Sequence, residues 1–264
     1  MTEEMKQVLE ELEKGVQEVF TSGRYEAYLK TLSKFHNYSF NNTLLIFMQK
    51  PDASHVAGFN TWKKEFSRYV KKGEKAIRIL APIPHKVKET DEEGNEVERQ
   101  WLSFRQVSVF DISQTDGKPL EGLTEDLSSD LSNYEELRDK IASVSPVPIE
   151  YRKLQQGLYG FYSLTEKKIV IDETQSKADA LSTMIHEISH ALIHEPESEF
   201  YTQADNRTRE VQAESIAFVV ASHYGLDTSK YSFGYIAAWS TGKELKELTA
   251  SMEVIRQTAE KFIA

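Results

Sequence analysis

The chain of 264 residues is 39% hydrophobic and 28% charged, with 13 Phe, 12 Tyr and 3 Trp, enough apolar mass for one large or two modest packed domains. It has no cysteine, which excludes a disulfide framework and any Cys-based zinc site and leaves His, Asp and Glu as metal donors. The net charge of −10 is unevenly spread: residues 30–88 hold 12 Lys/Arg against three acids, a local +9, whereas residues 121–264 hold 14 Lys/Arg against 24 acids.

The N-terminal segment is acidic and amphipathic where a signal peptide would be basic and then apolar. No apolar run is long enough to span a bilayer, so a cytoplasmic address without membrane contact is expected. Met5, Val8, Leu9, Leu12, Val16 and Val19 fall at helical spacing and predict a helix over 3–20. Helices are also predicted over 24–36 and 41–50, the latter capped by Asn41 or Asn42. Strands are predicted at 75–81 and 101–110, joined by the acidic loop Glu89–Glu98. Residues 111–132 lack apolar periodicity and are the predicted linker between an N-terminal domain, 1–120, and a C-terminal domain, 121–264. The second half restarts with a helix near 133–144, a strand at 147–153 and a hairpin from Gly160 to Asp172 turning at Thr165–Lys167. Helical segments at 178–194, 205–224, 233–239 and 243–262 complete an α+β chain, an α+β module followed by a mainly helical domain with a small β hairpin.

Within the basic stretch, Lys63, Lys64, Arg68, Lys71, Lys72 and Lys75 are interleaved with Phe59, Trp62, Phe66 and Tyr69. Cations that follow phosphates and aromatic faces that stack on bases hold single-stranded DNA without a sequence requirement, which makes Trp62, Tyr69 and these six cations candidate DNA contacts. The same pattern also fits a solvated basic face over an aromatic core.

Residues 186–190 read His-Glu-Ile-Ser-His. On a helix, His186 and His190 stand on one face and present two imidazoles to one zinc ion per chain, with Glu187 beside it as general base for a zinc-activated water. A hydrolytic zinc needs a third protein donor and an open position. The next helix offers Glu210 and Glu214 one turn apart; Glu210 is assigned as ligand and Glu214 as acceptor for the outer nitrogen of a ligating histidine, although periodicity alone does not choose between them. His194 continues the same face as a neighbour of the ligands or a helix-end histidine. Tyr201, Tyr235 and His223 are candidates for the oxyanion-stabilising donor by their nearness in sequence.

His186 through His194 (HEISHALIH), followed by Glu210 through Phe218 (EVQAESIAF), resembles zinc peptidases of the ImmA/IrrE type and, more closely, the peptidase domain of ArdC-like antirestriction proteins. Asn41–Leu45, Gly58–Trp62, Val70–Ile77 and Val107–Gln114 resemble the N-terminal domain of the same family, and Tyr235–Trp239 resembles the end of its peptidase domain. The resemblance spans about residues 20–262. It implies a single-stranded-DNA-binding domain joined to a gluzincin-like zinc metallopeptidase, in which the first Glu of the second helix, here Glu210, is the ligand. It also implies a mobile-element setting where incoming DNA escapes host restriction. Here Glu214 stands where the family often has Asp or Asn. Two other readings stay open: a non-enzymatic DNA-binding antirestriction protein with a structural or silent zinc, and a repressor-cleaving peptidase. The protein or peptide substrate is not legible in one dimension.

Overall fold

The stripe Val8, Leu12, Val16 and Val19 becomes the buried face of α1 (Glu3–Thr21) in a computed structural model that describes residues 3–90, 96–120, 133–196 and 204–264. Two short helices follow, α2 (Tyr25–Lys34) and α3 (Phe40–Gln49). The cap of α3 differs from the expected Asn41 or Asn42: the Ser39 hydroxyl accepts the Asn42 backbone N–H at 3.3 Å. The Asn42 side chain is committed elsewhere. Its amide donates to and accepts from the Leu80 backbone, both at 2.8 Å, and Gln49 on the same helix does likewise with Arg78, both at 2.9 Å.

These two amides pair the first outward-facing positions of strand β3 (Ile77–Thr90). The next outward-facing positions are Pro82 and Pro84, which have no N–H to leave unpaired, so the edge from Arg78 to Pro84 offers no free N–H to a further strand. The strand pairs along its whole length with β4 (Glu96–Asp111), and β1 (Val56–Gly58) flanks β4 to give an antiparallel sheet in the order β1-β4-β3. Both long strands exceed their expected bounds. The prolines and polar residues after Leu80 read as strand breakers, yet an edge strand accommodates them. Of the expected Glu89–Glu98 loop, 91–95 lies outside the described residues.

After β1, Phe59–Lys64 forms α4, and β2 (Arg68–Val70) pairs antiparallel with β5 (Thr115–Gly117). The expected linker therefore starts later than residue 111. Asp111 is buried and caps a 3-10 turn, Ile112–Gln114, while 121–132 lies outside the described residues.

The second half opens with α5 (Tyr134–Ser143) and a three-stranded sheet of β6 (Ile149–Arg152), β7 (Gly160–Ser163) and β8 (Lys168–Asp172). β8 is central, parallel to β6 and antiparallel to β7, and its Ile169, Val170 and Ile171 are fully buried. Among the described residues four helices follow: α6 (Lys177–Ile193), α7 (Asn206–His223), α8 (Ile236–Ser240) and α9 (Leu245–Ile263). The architecture is mixed α+β.

One apolar cluster unites Val8, Phe20, Leu29 and Leu44 of the N-terminal helices with Leu181, Ile185, Phe218, Ile255 and Phe262 of the later ones, each burial contributing about 1.5–3 kcal/mol. Tyr25 stands at the junction. Its hydroxyl lies 2.8 Å from Ser215 Oγ and its ring 5.3 Å from those of Phe20 and Phe233. The apolar core thus crosses the expected division at residue 120. A smaller cluster, Phe35, Ile46, Ala53, Ile77, Ile79 and Val109, seats the first sheet on α3. Among the described residues no helix is long and apolar enough to cross a membrane.

Candidate metal centre

Ser176 caps α6 by accepting the Asp179 N–H, and Asp205 caps α7 by accepting the Thr208 N–H. Ala180, Leu181, Met184, Ile185, Ile188 and Ala191 bury one side of α6, which turns His186, Glu187 and His190, all half-buried, toward α7. There the Nε2 atoms of His186 and His190 lie 3.1 Å apart. The exposed Glu210 closes the group, with Oε2 3.5 Å from His186 Nε2 and Oε1 3.6 Å from His190 Nε2.

This triangle is close to the size that a metal requires. A tetrahedral ion with bonds of about 2.0–2.2 Å spaces its donors about 3.3–3.6 Å apart, and two imidazoles with one carboxylate are a donor set that a divalent cation takes while keeping a position open. The charges agree. Burial works against a charged His186, but the Glu210 hydrogen bond and the charges of Glu187, Glu210 and Glu214 outweigh it and push the ring upward. For Glu210 the hydrogen bond from His186 prevails over burial and holds the carboxyl below the usual range. His190 is pushed down by burial and by His186 beside it.

Glu187 does not belong to the triangle. Burial pushes its carboxyl upward, and the Tyr162 backbone N–H on β7 donates to it. His186, Glu187 and Glu210 open into a cleft of about 870 Å³ walled by Gly160, Thr183, Glu214 and Tyr231.

Glu214 departs from its expected place. The outer nitrogen of His190 faces His194, Nδ1 to Nδ1 at 2.8 Å, and Glu214 instead accepts the Tyr235 hydroxyl. Helical spacing does bring Glu214 to the cleft, where the loop before α8 supplies the tyrosine that donates to one of its oxygens. Beyond His194, buried Gln212 and Ser251 continue the hydrogen bonds at 3.0 and 3.1 Å; no local pattern marked these two, because they meet only where α7 packs on α9. Of the oxyanion candidates, Tyr235 is bound to Glu214, Tyr201 lies outside the described residues, and His223 sits at the far end of α7 on the Ser33 carbonyl, 3.0 Å away.

The candidate DNA contacts divide. Trp62 is 1% exposed and its indole N–H donates to the Phe110 carbonyl at 2.8 Å, so its ring has no face to offer a base. Arg68 is spent on Thr115, through Oγ1 at 2.7 Å and the carbonyl at 2.9 Å, and on the Lys118 carbonyl, which clamps β2 to β5. Both positions are corrected from ligand contact to architecture. Lys63, Lys64, Lys71, Lys72 and Lys75 are exposed, as is Tyr69 at 58%. Exposed aromatics that the basic stretch did not single out stand on the β3–β4 ribbon: Trp101, stacked on His85 at 5.2 Å, and Phe104.

Residues 1–110 match the profile of the N-terminal domain of anti-restriction factor ArdC, and residues 142–262 match the IrrE N-terminal-like domain, a peptidase family. The uncharacterized protein pXO2-81 of Bacillus anthracis is 28% identical over 304 aligned residues, covering 99% of this chain and 51% of that protein; the chain spans about half the length of this relative. The metal-free crystal structure of antirestriction protein ArdC from the R388 plasmid superposes with a TM-score of 0.56 at 19% identity, over 86% of this chain and 84% of that one. Its Mn(II)-bound form gives 0.57 at 18% identity over 96% of both chains. These likenesses establish a shared fold.

Proposed function

We propose, from the premise that this chain joins an ArdC-type N-terminal domain to an IrrE-like peptidase domain, that it is a metal-dependent peptidase that binds single-stranded DNA and acts in antirestriction. The observation that carries the peptidase reading is the convergence of His186, His190 and Glu210 on one point, with His186, Glu210 and the neighbouring Glu187 lining one cleft.

His186, His190 and Glu210 would hold the ion, and zinc is the ion proposed, because two histidines and a glutamate form a donor set of hydrolytic zinc sites. The likeness to an ArdC crystallised with Mn(II) makes manganese the alternative to load in parallel. When bound, a divalent metal supplies Lewis acidity, which lowers the pKa of water and polarises a scissile carbonyl. Glu187 then receives the proton of the attacking water on its carboxylate and hands it to the leaving amine nitrogen. Its half-buried place raises its proton affinity toward that task, and the Tyr162 N–H keeps the carboxylate aimed. Glu214, which lines the same cleft, accepts the Tyr235 hydroxyl and adds a polar group to the wall.

The DNA reading rests on exposed lysines and exposed aromatics in the N-terminal half. Lys63, Lys64, Lys72 and Lys75 would follow phosphates, while Tyr69, Trp101 and Phe104 offer stacking faces; the exposed Lys71 ammonium already donates to the Ser113 carbonyl at 3.0 Å. The test is digestion of a mixed peptide library by zinc-loaded or manganese-loaded protein, with Glu187→Gln as control and binding of labelled oligo(dT) measured alongside. Cleavage lost in Glu187→Gln with DNA binding retained is expected. Equal patterns from both proteins, or no cleavage by either, would reject the peptidase reading.

A further inference from the structure

We propose that His194, Gln212 and Ser251 form a hydrogen-bond relay that fixes the tautomer of His190, so that its Nε2 lone pair is bare and aimed at Glu210 and His186. The inference rests on the reading of His190 as a metal ligand and adds three positioning residues to it.

The Gln212 amide sets the direction of the relay. As the buried amide lies, Nε2 donates to Ser251 Oγ at 3.1 Å and Oε1, an acceptor only, faces His194 Nε2 at 3.0 Å. In this arrangement His194 carries its proton on Nε2. A neutral imidazole has one N–H, so His194 Nδ1 is a lone pair, and the contact to His190 Nδ1 at 2.8 Å requires the proton on His190. That fixes His190 as the Nδ1–H tautomer with Nε2 free. This atom lies 3.1 Å from His186 Nε2 and 3.6 Å from Glu210 Oε1.

Burial makes the constraint strict. His194 is 5% exposed, Gln212 2% and Ser251 5%, so no solvent is at hand to satisfy the wrong tautomer. Three helices supply the parts: α6 gives the two histidines, α7 the amide and α9 the serine. A carbonyl or carboxylate usually orients a ligating histidine from behind. Here a second histidine transmits that orientation from an amide.

The direct test is NMR on the metal-free full chain with 15N-labelled histidine, using long-range 1H–15N correlations and assigning rings through His186→Gln and His194→Gln. The expected result is an Nδ1–H tautomer at His190 and an Nε2–H tautomer at His194. The reverse pair, with the proton on His190 Nε2, would overturn the proposal. A second readout is zinc affinity by chelator competition in two variants. Gln212→Met removes the acceptor and should weaken zinc by about 10–100-fold, whereas Gln212→Glu keeps an acceptor, to which Ser251 can turn and donate, and should restore most of it. A purely structural Gln212 would shift the unfolding of both metal-free variants without separating their zinc affinities, and wild-type affinity in Gln212→Met would also refute the relay. Failure of the wild type to bind zinc would count against the metal reading alone, since the tautomers are read without metal.

Discussion

The Trp62 indole N–H donates to the Phe110 carbonyl at 2.8 Å, and Phe66 covers the ring at 5.1 Å between centroids. A residue that reads in sequence as a stacking platform thus anchors α4 to β4. Trp62→Phe should cost about 1–3 kcal/mol through the unpaired carbonyl, measured by urea unfolding. Its affinity for oligo(dT), once folded, should equal that of the wild type. Tyr69→Ala and Trp101→Ala should each lose about 1–3 kcal/mol of binding with unchanged stability. A Trp62→Phe protein that binds as poorly as Tyr69→Ala would contradict this division of roles.

The exposed lysines make an independent prediction about salt. Replacing Lys63, Lys64, Lys72 or Lys75 with Gln should flatten the slope of log affinity against log salt by about 0.7 for each phosphate no longer neutralised. Arg68→Gln should instead lower stability, because its guanidinium clamps Thr115 and Lys118. Fluorescence anisotropy at several salt concentrations separates the two groups.

Asp111 carries a pH dependence. Burial opposes its charge, but Ser113, Ser54 and His55 donate to the carboxylate and hold it below the usual range, with the Ser54 and His55 N–H groups at 2.7 and 3.1 Å. A folded-state value below the unfolded one means the stabilisation is complete above the unfolded pKa of about 3.9 and is lost as pH falls through the folded value. Asp111→Asn should therefore be less stable than wild type by about 1.5–3 kcal/mol at neutral pH, with the gap narrowing below about pH 4. A gap that stays constant down to acid pH would show that the charge has no part in it.

Much of the candidate site was legible because it is local. His186 and His190 share a face by helical spacing alone, and Glu210 and Glu214 repeat that spacing on the next helix. What was hidden depends on which elements pack together. The relay through Gln212 and Ser251 exists only where α7 meets α9, and the Tyr235 partner of Glu214 comes from a loop. The strand lengths were obscured by Pro82 and Pro84, which break a central strand but suit an edge. The burial of Trp62 and the exposure of Trp101 follow from tertiary placement, which amino-acid type does not specify.

Gly160 tests how the cleft is built. A Cβ there would lie 2.6 Å from Thr183 Cγ2 and 3.0 Å from the Val170 carbonyl oxygen, so β7 approaches α6 closely only because the residue has no side chain. Gly160→Ala should cost about 1–3 kcal/mol and lower kcat by drawing the Tyr162 N–H away from Glu187. Thr183→Ser removes the methyl group but keeps a hydroxyl for Gln175, which the native threonine reaches at 2.9 Å. The double variant should recover part of both losses, with a coupling of about 0.5–3 kcal/mol in unfolding experiments. Simple additivity would mean that the Gly160–Thr183 approach does not set the spacing.

The most direct measurement is metal content by elemental analysis of protein purified without chelator or metal-affinity resin, for the wild type, His190→Ala and Glu210→Ala. About one divalent ion per chain in the wild type, lost in both variants while their helical content is retained, is the result expected of the His186–His190–Glu210 triangle. A wild type that holds no metal even after zinc or manganese is supplied, or variants that keep it, would contradict the account at its centre.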